Sequence, residues 1–222
     1  MLKNKKLWIA LLIIPMYILV KVSAKFPDTV EVVYSNGLYP VISKLFRYTL
    51  GWLPFSFGDL LYAFGIIFII RWLILNVKRI WKDTIGWLID VFATASIIFI
   101  AFHLFWGFNY YRNPLHKNLN LKADYTTEQL VKVTRSLIKK SNTIHLQIAK
   151  NDSLKVELPF TKSEILALTP KSYEALKTDF PHLEYLPKSL KKSLFSVPLT
   201  YMGFSGYLNP LTSEAQVDYM IP

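Results

Sequence analysis

Apolar residues run almost unbroken through three stretches of the first half of the chain. In the second half they recur at intervals between charged positions. The first stretch, Leu7 to Val20, follows Lys3, Lys5 and Lys6 and is interrupted only by Pro15. Its fourteen residues would rise about 21 Å as a helix, short of a hydrocarbon core of about 30 Å. A basic start, a short apolar run and Val22-Ser23-Ala24 before Lys25 fit a cleavable signal peptide. An uncleaved span over about 7–22 is the alternative, lengthened by snorkelling of Lys21 and Lys25. Under both readings the chain that follows is exported.

The second stretch, Phe57 to Leu75, is long enough to cross at about 28 Å. The third, Ile85 to Phe108, ends among Trp106, Phe108, Tyr110 and Tyr111, the aromatic residues of a membrane interface. Between them Lys78, Arg79 and Lys82 form the densest cationic loop of the membrane half, denser than the 21–56 loop. The positive-inside rule makes that loop cytoplasmic, with the N-terminus inside and residues 112–222 outside. The pattern predicts a multi-pass protein of the cytoplasmic (inner) membrane. Residues 1–111, with spans at about 7–22, 57–75 and 85–108, form its membrane domain, and residues 112–222 an extracytoplasmic α+β domain.

Within that second domain Thr126 and Gln129 have the spacing of a capping box. Leu130, Val133, Leu137, Ile144 and Ile148 then recur at helical intervals, predicting a helix over about 127–149. Ser163 to Leu168 reads as a short helical turn, and Thr169-Pro170 as the start of a further helix reaching about Asp179. From Ser193 onward strand signals take over. Leu199 and Tyr201, the Gly203–Gly206 and Asn209-Pro210 turns, and the alternation of Ala215, Val217, Tyr219 and Ile221 predict a bent hairpin with a closing strand.

The formal charge of +11 does not change this picture. It divides evenly, +6 over residues 1–111 and +5 over residues 112–222, and basic residues alternate with acidic ones without a nucleic-acid-binding signature. Anionic lipid is the better partner for the excess. The chain has no Cys, which removes disulfides, thiol nucleophiles and Cys-based zinc sites. Asp59, Arg71, Asp90 and His103 fall inside or at the edges of the spans. Depth matching pairs Arg71 with Asp90 near the inner ends, a structural lock rather than an ion pathway. A transport role would need a polar route that three spans with so few central charges do not provide.

Each catalytic signal in the exported part has a plainer reading. Gly203-Phe204-Ser205-Gly206 is half a nucleophile elbow, but Tyr207 stands where the closing Gly belongs, so it reads as a turn. His182 and Glu184, with Asp179 upstream, could ligate a metal, yet Pro181 and the lack of another nearby His favour a surface loop. His116 and His145 stand alone and are expected to face solvent. No His-Glu-x-x-His, phosphate loop or dinucleotide fingerprint occurs. Glu214, between a turn and an alternating strand, is read as a solvent-facing strand residue, or else as an acid beside a cleft that binds substrate or metal. Tyr201, Phe204, Tyr207 and Tyr219 are expected to serve as core rather than as a binding platform.

The block Tyr201-Met202-Gly203-Phe204-Ser205-Gly206-Tyr207-Leu208-Asn209-Pro210-Leu211-Thr212-Ser213-Glu214-Ala215-Gln216-Val217 resembles a bacterial family of uncharacterised membrane-anchored proteins with a zincin-like metallopeptidase domain. The segment Leu53-Pro54-Phe55-Ser56-Phe57-Gly58-Asp59 and the order of spans before an exported domain look like that family as well. The resemblance implies a zinc peptidase in which a helix bearing His-Glu-x-x-His follows the block; its two His bind zinc and its Glu is general base to a zinc-bound water. This chain ends at Pro222 without that motif. The expectation is therefore an incomplete zincin-like domain, inactive alone, with no catalytic or metal residue of its own and zinc belonging to the complete protein. By the same resemblance the block would line a cleft for a peptide or envelope component, making Tyr201, Gly203, Gly206, Tyr207, Asn209 and Glu214 the substrate-binding candidates. A non-enzymatic, membrane-anchored binding or scaffold protein is the alternative.

Overall fold

The computed structural model describes residues 2–181 and 190–220. The expectations for His182, Glu184 and Ile221 lie outside the described residues. By internal contacts the chain divides into two compact units, Met1–Arg112 with Tyr173–Pro222, and Asn113–Ser172.

In the first unit three helical stretches are long and apolar enough to cross a membrane: Lys5–Ser23, Phe57–Asn76 and Thr84–Phe105. The first is two helices, α1 (Leu2–Leu11) and α2 (Ile13–Ser23), divided at Leu12. Pro15 accounts for the break, since it has no N–H to give the Leu11 carbonyl one turn earlier. The expected loop at residues 21–56 is instead mostly helical. α3 (Pro27–Thr29) opens it, Val30–Leu38 is wound as a π-helix, and α4 (Tyr39–Leu50) completes it. Tyr34 anchors this arm by donating its hydroxyl to the carbonyls of His103 and Leu104 at 3.2 and 2.9 Å.

α5 (Phe57–Asn76) and α7 (Thr84–Phe105) are joined by the short α6 (Arg79–Lys82). α1 packs along α7. The third span stops at Phe105 rather than Phe108, and the interfacial aromatics continue as a 3-10 turn over Gly107–Tyr111. Large apolar side chains such as Phe64, Ile67 and Ile74 stay exposed along α5; hydrocarbon accepts such a surface and water does not.

The expected Arg71–Asp90 lock is not formed. Asp90 takes Lys6 at 2.6 Å and Arg79 at 2.9 Å, and Arg79 also reaches Asp83 at 3.2 Å. Helix geometry explains the difference. Phe68, Ile69, Trp72 and Leu73 make up the face of α5 turned toward α7, and Arg71 lies about 130° round the helix from the middle of that face.

The C-terminal segment of this unit contains a three-stranded sheet with strand order β1-β3-β2. β1 (Lys191–Lys192) runs parallel to β3 (Ala215–Val217), pairing Lys191 with Gln216. β2 (Gly206–Leu208) is antiparallel to β3, pairing Gly206 with Val217 and Leu208 with Ala215. The predicted hairpin is present, but Leu199 and Tyr201 belong to a helix, Ser196–Tyr201, and not to a strand. Local bonding turns the chain there: the Phe195 N–H donates to Ser193 Oγ at 3.0 Å, and Ser196 Oγ donates to the Ser193 carbonyl at 2.8 Å.

The second unit holds a short helix, Leu115–Asn118, and the long helix Thr127–Ala149. Thr126 and Gln129 close the predicted capping box, with Gln129 N–H to Thr126 Oγ1 at 3.3 Å and Thr126 N–H to Gln129 Oε1 at 2.9 Å. Lys150, at φ 57°, ends that helix in the left-handed region. His116 is exposed as expected, whereas His145 is half-buried and its Nε2 lies 2.8 Å from the Leu154 carbonyl. The two helical pieces expected at 163–179 are one helix, Lys162–Asp179, with Pro170 inside it. Its start is set by Thr161 and Glu164, which bond reciprocally. That second capping box outweighed the Thr169-Pro170 signal.

Candidate functional site at the start of α5

Three of the six substrate-binding candidates, Tyr207, Asn209 and Glu214, come together in the first unit, at the N-terminus of α5. A helix leaves its first N–H groups without intrahelical partners, and at the edge of an apolar span each must still be bonded. Glu214 supplies most of what is needed. Its Oε1 accepts the Phe57 N–H at 3.2 Å, and its Oε2 accepts the Gly58 N–H at 2.6 Å. Ser56 Oγ accepts the Asp59 N–H at 2.9 Å. Lys191 Nζ donates to Glu214 Oε1 at 2.5 Å, and Thr212 Oγ1 donates to Oε2 at 2.8 Å. Glu214 thus accepts four hydrogen bonds, the full capacity of a carboxylate. The solvent-facing reading of Glu214 is corrected: it is 6 % exposed, because two strands and a helix end close over it.

Lys191 has a second role. Its ammonium also donates to the carbonyl of Leu50, the last residue of α4, at 2.7 Å. A cation therefore stands at the C-terminus of one helix and an anion at the N-terminus of the next, the arrangement both helix dipoles favour. The pair is nearly inaccessible, at 3 % and 4 % side-chain exposure.

Beside this pair lies a second buried acid. Asp59 is fully buried; its Oδ2 accepts from Ser193 Oγ at 2.9 Å and from the Leu194 N–H at 2.7 Å, and its Oδ1 accepts from the Tyr207 hydroxyl. Burial, and then the adjacent Asp59 carboxylate, push the Tyr207 hydroxyl above the ordinary tyrosine range. The phenol stays protonated and acts as a donor. Gln216 Nε2 donates to Ser56 Oγ from the centre of β3.

Asn209 is fully buried against α5. Its Oδ1 accepts the Leu211 N–H at 3.0 Å, and its backbone accepts from Ser213 and donates to Glu214, both at 2.9 Å. A Cβ on Gly58 would come within 2.2 Å of Asn209 Nδ2 and 2.7 Å of Thr212 Oγ1, so only glycine lets this turn sit on the helix. Gly206 lies in β2 opposite Val217. Tyr201 is separate from the seam and 90 % exposed, and Gly203 occupies a turn at φ +77°. The expectation of core aromatics is corrected for Tyr201, Phe204 and Tyr219, all of which are exposed; Tyr207 is half-buried.

Ser56, Gly58, Asp59, Lys191 and Ser193 are members of the site that were not among the substrate-binding candidates. The sequence carried a signal for Ser56 and Asp59: Ser56-x-x-Asp59 before an apolar run is a capping box. Only half of it forms as such, because the Asp59 carboxylate turns away from Ser56 toward Ser193 and Tyr207. Nothing in Leu190-Lys191-Lys192-Ser193 distinguishes Lys191 from its neighbour.

The donors at this site do not fit a zinc ion. Both carboxylates are engaged by protein donors, and among the described residues no three His, Cys, Asp or Glu side chains converge on a point that could hold a metal.

The chain belongs to a family whose model is described as "Protein of unknown function (DUF3810)", matched over residues 34–222. The match takes in α4, α5, α7 and all three strands, and so every residue of the seam. No curated protein and no solved structure matches the chain.

Proposed function

We propose that the chain is the membrane-anchoring and sheet-holding part of a zincin-like zinc metallopeptidase on the extracytoplasmic face of the cytoplasmic membrane. Two things support the peptidase class: the resemblance of the Tyr201–Val217 block, and its folding as a hairpin with β2 as an edge strand of the described sheet, the kind of edge to which an extended peptide adds as a further strand. The observation that carries the holding role is the Lys191–Glu214 pair, which spends every acceptor of Glu214 on fixing β1 and β3 to the ends of α4 and α5. On this reading the residues of the seam position the sheet and perform no chemistry, and zinc and the general base come from other residues. Reading the gene beyond the codon for Pro222 tests it: a frame that continues into His-Glu-x-x-His is the expected result, and a stop codon there overturns it.

A second reading, a non-enzymatic membrane-anchored scaffold, is favoured by the internal satisfaction of Asp59 and Glu214. Peptidase assays of the purified full gene product, with and without a chelator, separate the two readings. Chelator-sensitive hydrolysis supports the first, and its absence the second.

A further inference from the structure

At the opposite end of α5, the helices leave a space of different character. α7 packs against α1, and α5 meets α7 through Trp72 and Trp87, whose ring centroids are 5.9 Å apart. Above this contact an apolar groove of about 550 Å³ opens between α5 and α7, walled by Phe68, Ile69, Leu73, Ile97 and Ile98. From Asp90 to Ile98 it extends about 12 Å along α7. Lys6 and Asp90 stand at one end of it.

That end lies at an interface. Trp72, Trp81 and Trp87 share the level of the α5–α7 connection, and Trp81 is 87 % exposed, as interfacial tryptophans are. The charges there are unbalanced: the start of α1 and the α5–α7 connection carry Lys5, Lys6, Lys78, Arg79 and Lys82 against Asp83 and Asp90. The Lys6 side chain is 52 % exposed and spends one of its three donors on Asp90. Trp87 Nε1–H, one turn from Asp90, is buried with no hydrogen-bond partner among the described residues. The groove is thus apolar along its length and cationic at its mouth. Basic pockets between transmembrane helices hold anionic lipid headgroups.

We propose that the groove between α5 and α7 binds an acyl chain of an anionic phospholipid whose phosphate is held by Lys6 and Arg79. The phosphate would share these cations with Asp90, and the chain would fill the gap that α5 leaves against α7. A lipid in this position would complete the packing of the three spans.

The test uses the whole chain purified in a mild detergent, exchanged against phosphatidylglycerol or phosphatidylcholine of the same acyl composition, with bound lipid read by native mass spectrometry. One phosphatidylglycerol retained in preference to phosphatidylcholine is expected. Lys6→Ala should reduce that preference about fivefold. Ala95→Trp, which fills the groove from its exposed wall, should abolish retention of either lipid while the melting temperature stays near that of the wild type. Equal retention of the two lipids, or undiminished retention in Ala95→Trp, would overturn the proposal. So would a dimer mass that disappears with Ala95→Trp, which would give the groove to a helix of a second copy.

Discussion

The two ends of α5 carry similar charges in opposite surroundings. At its start Lys191 and Glu214 are 3 % and 4 % exposed. Near its end Lys6 and Asp90 are 52 % and 12 % exposed, and Arg79 and Asp83 are 35 % and 38 % exposed. A buried pair has left water behind, so each charge depends on its partner and on further hydrogen bonds. A half-exposed pair keeps its hydration, is screened, and can exchange partners at little cost. The first arrangement fixes a strand layer to a helix, and the second leaves cations free to meet an external anion.

The contrast breaks most sharply at Glu214. Glu214→Gln leaves the Lys191 ammonium buried without a counter-charge and should cost about 3–5 kcal/mol, read as denaturant unfolding in detergent micelles. Combining it with Lys191→Met should cost less than the two single changes together; full additivity would mean the pair is not coupled. Next comes Tyr207→Phe, which strips a donor from the buried Asp59 carboxylate and should cost about 1.5–3 kcal/mol.

The same hydroxyl gives a pH signature. Its folded pKa lies above the ordinary 10.0, so the neutral form is the one the fold favours. Its contribution is fully present below pH 10.0 and lost as pH rises from there toward the folded value. The wild type should therefore lose stability in that alkaline window more steeply than Tyr207→Phe does; parallel profiles would remove Tyr207 from the seam.

Gly58→Ala forces a methyl group against Asn209 and Thr212 and should cost about 1–3 kcal/mol by overpacking. Retained wild-type stability would show that the Asn209 turn can lift off the helix freely. The smallest effect belongs to the exposed end, where Lys6→Ala should change stability by about 1 kcal/mol or less. A loss as large as that of Glu214→Gln would erase the distinction between the two ends.

Much of the helical layout was legible from sequence because its causes are local. Apolar run length located the three spans, and Thr126 with Gln129 located the start of the 127–149 helix to the residue. Reading failed where a distant group decided. Ser56-x-x-Asp59 is a capping box in sequence, but the acid found better donors in Ser193 and Tyr207, more than 130 residues away. Arg71 and Asp90 matched in depth but not in rotation about the helix. Thr169-Pro170 looked like a helix start until the Thr161–Glu164 pair began the helix about two turns earlier and carried it through the proline.

The sequence by itself determined the apolar spans, the caps, the β2–β3 hairpin and the excess of cations beside the α5–α7 connection. Each of these follows from residues within a few positions of one another. Only the tertiary structure decided that Glu214 would cap a helix begun at Phe57, that Lys191 and not Lys192 would neutralise it, and that a groove would open between α5 and α7. Those outcomes depend on which polar groups meet once water is excluded. A carboxylate written just before a strand does not disclose which helix end, 156 residues away, will supply its hydrogen bonds.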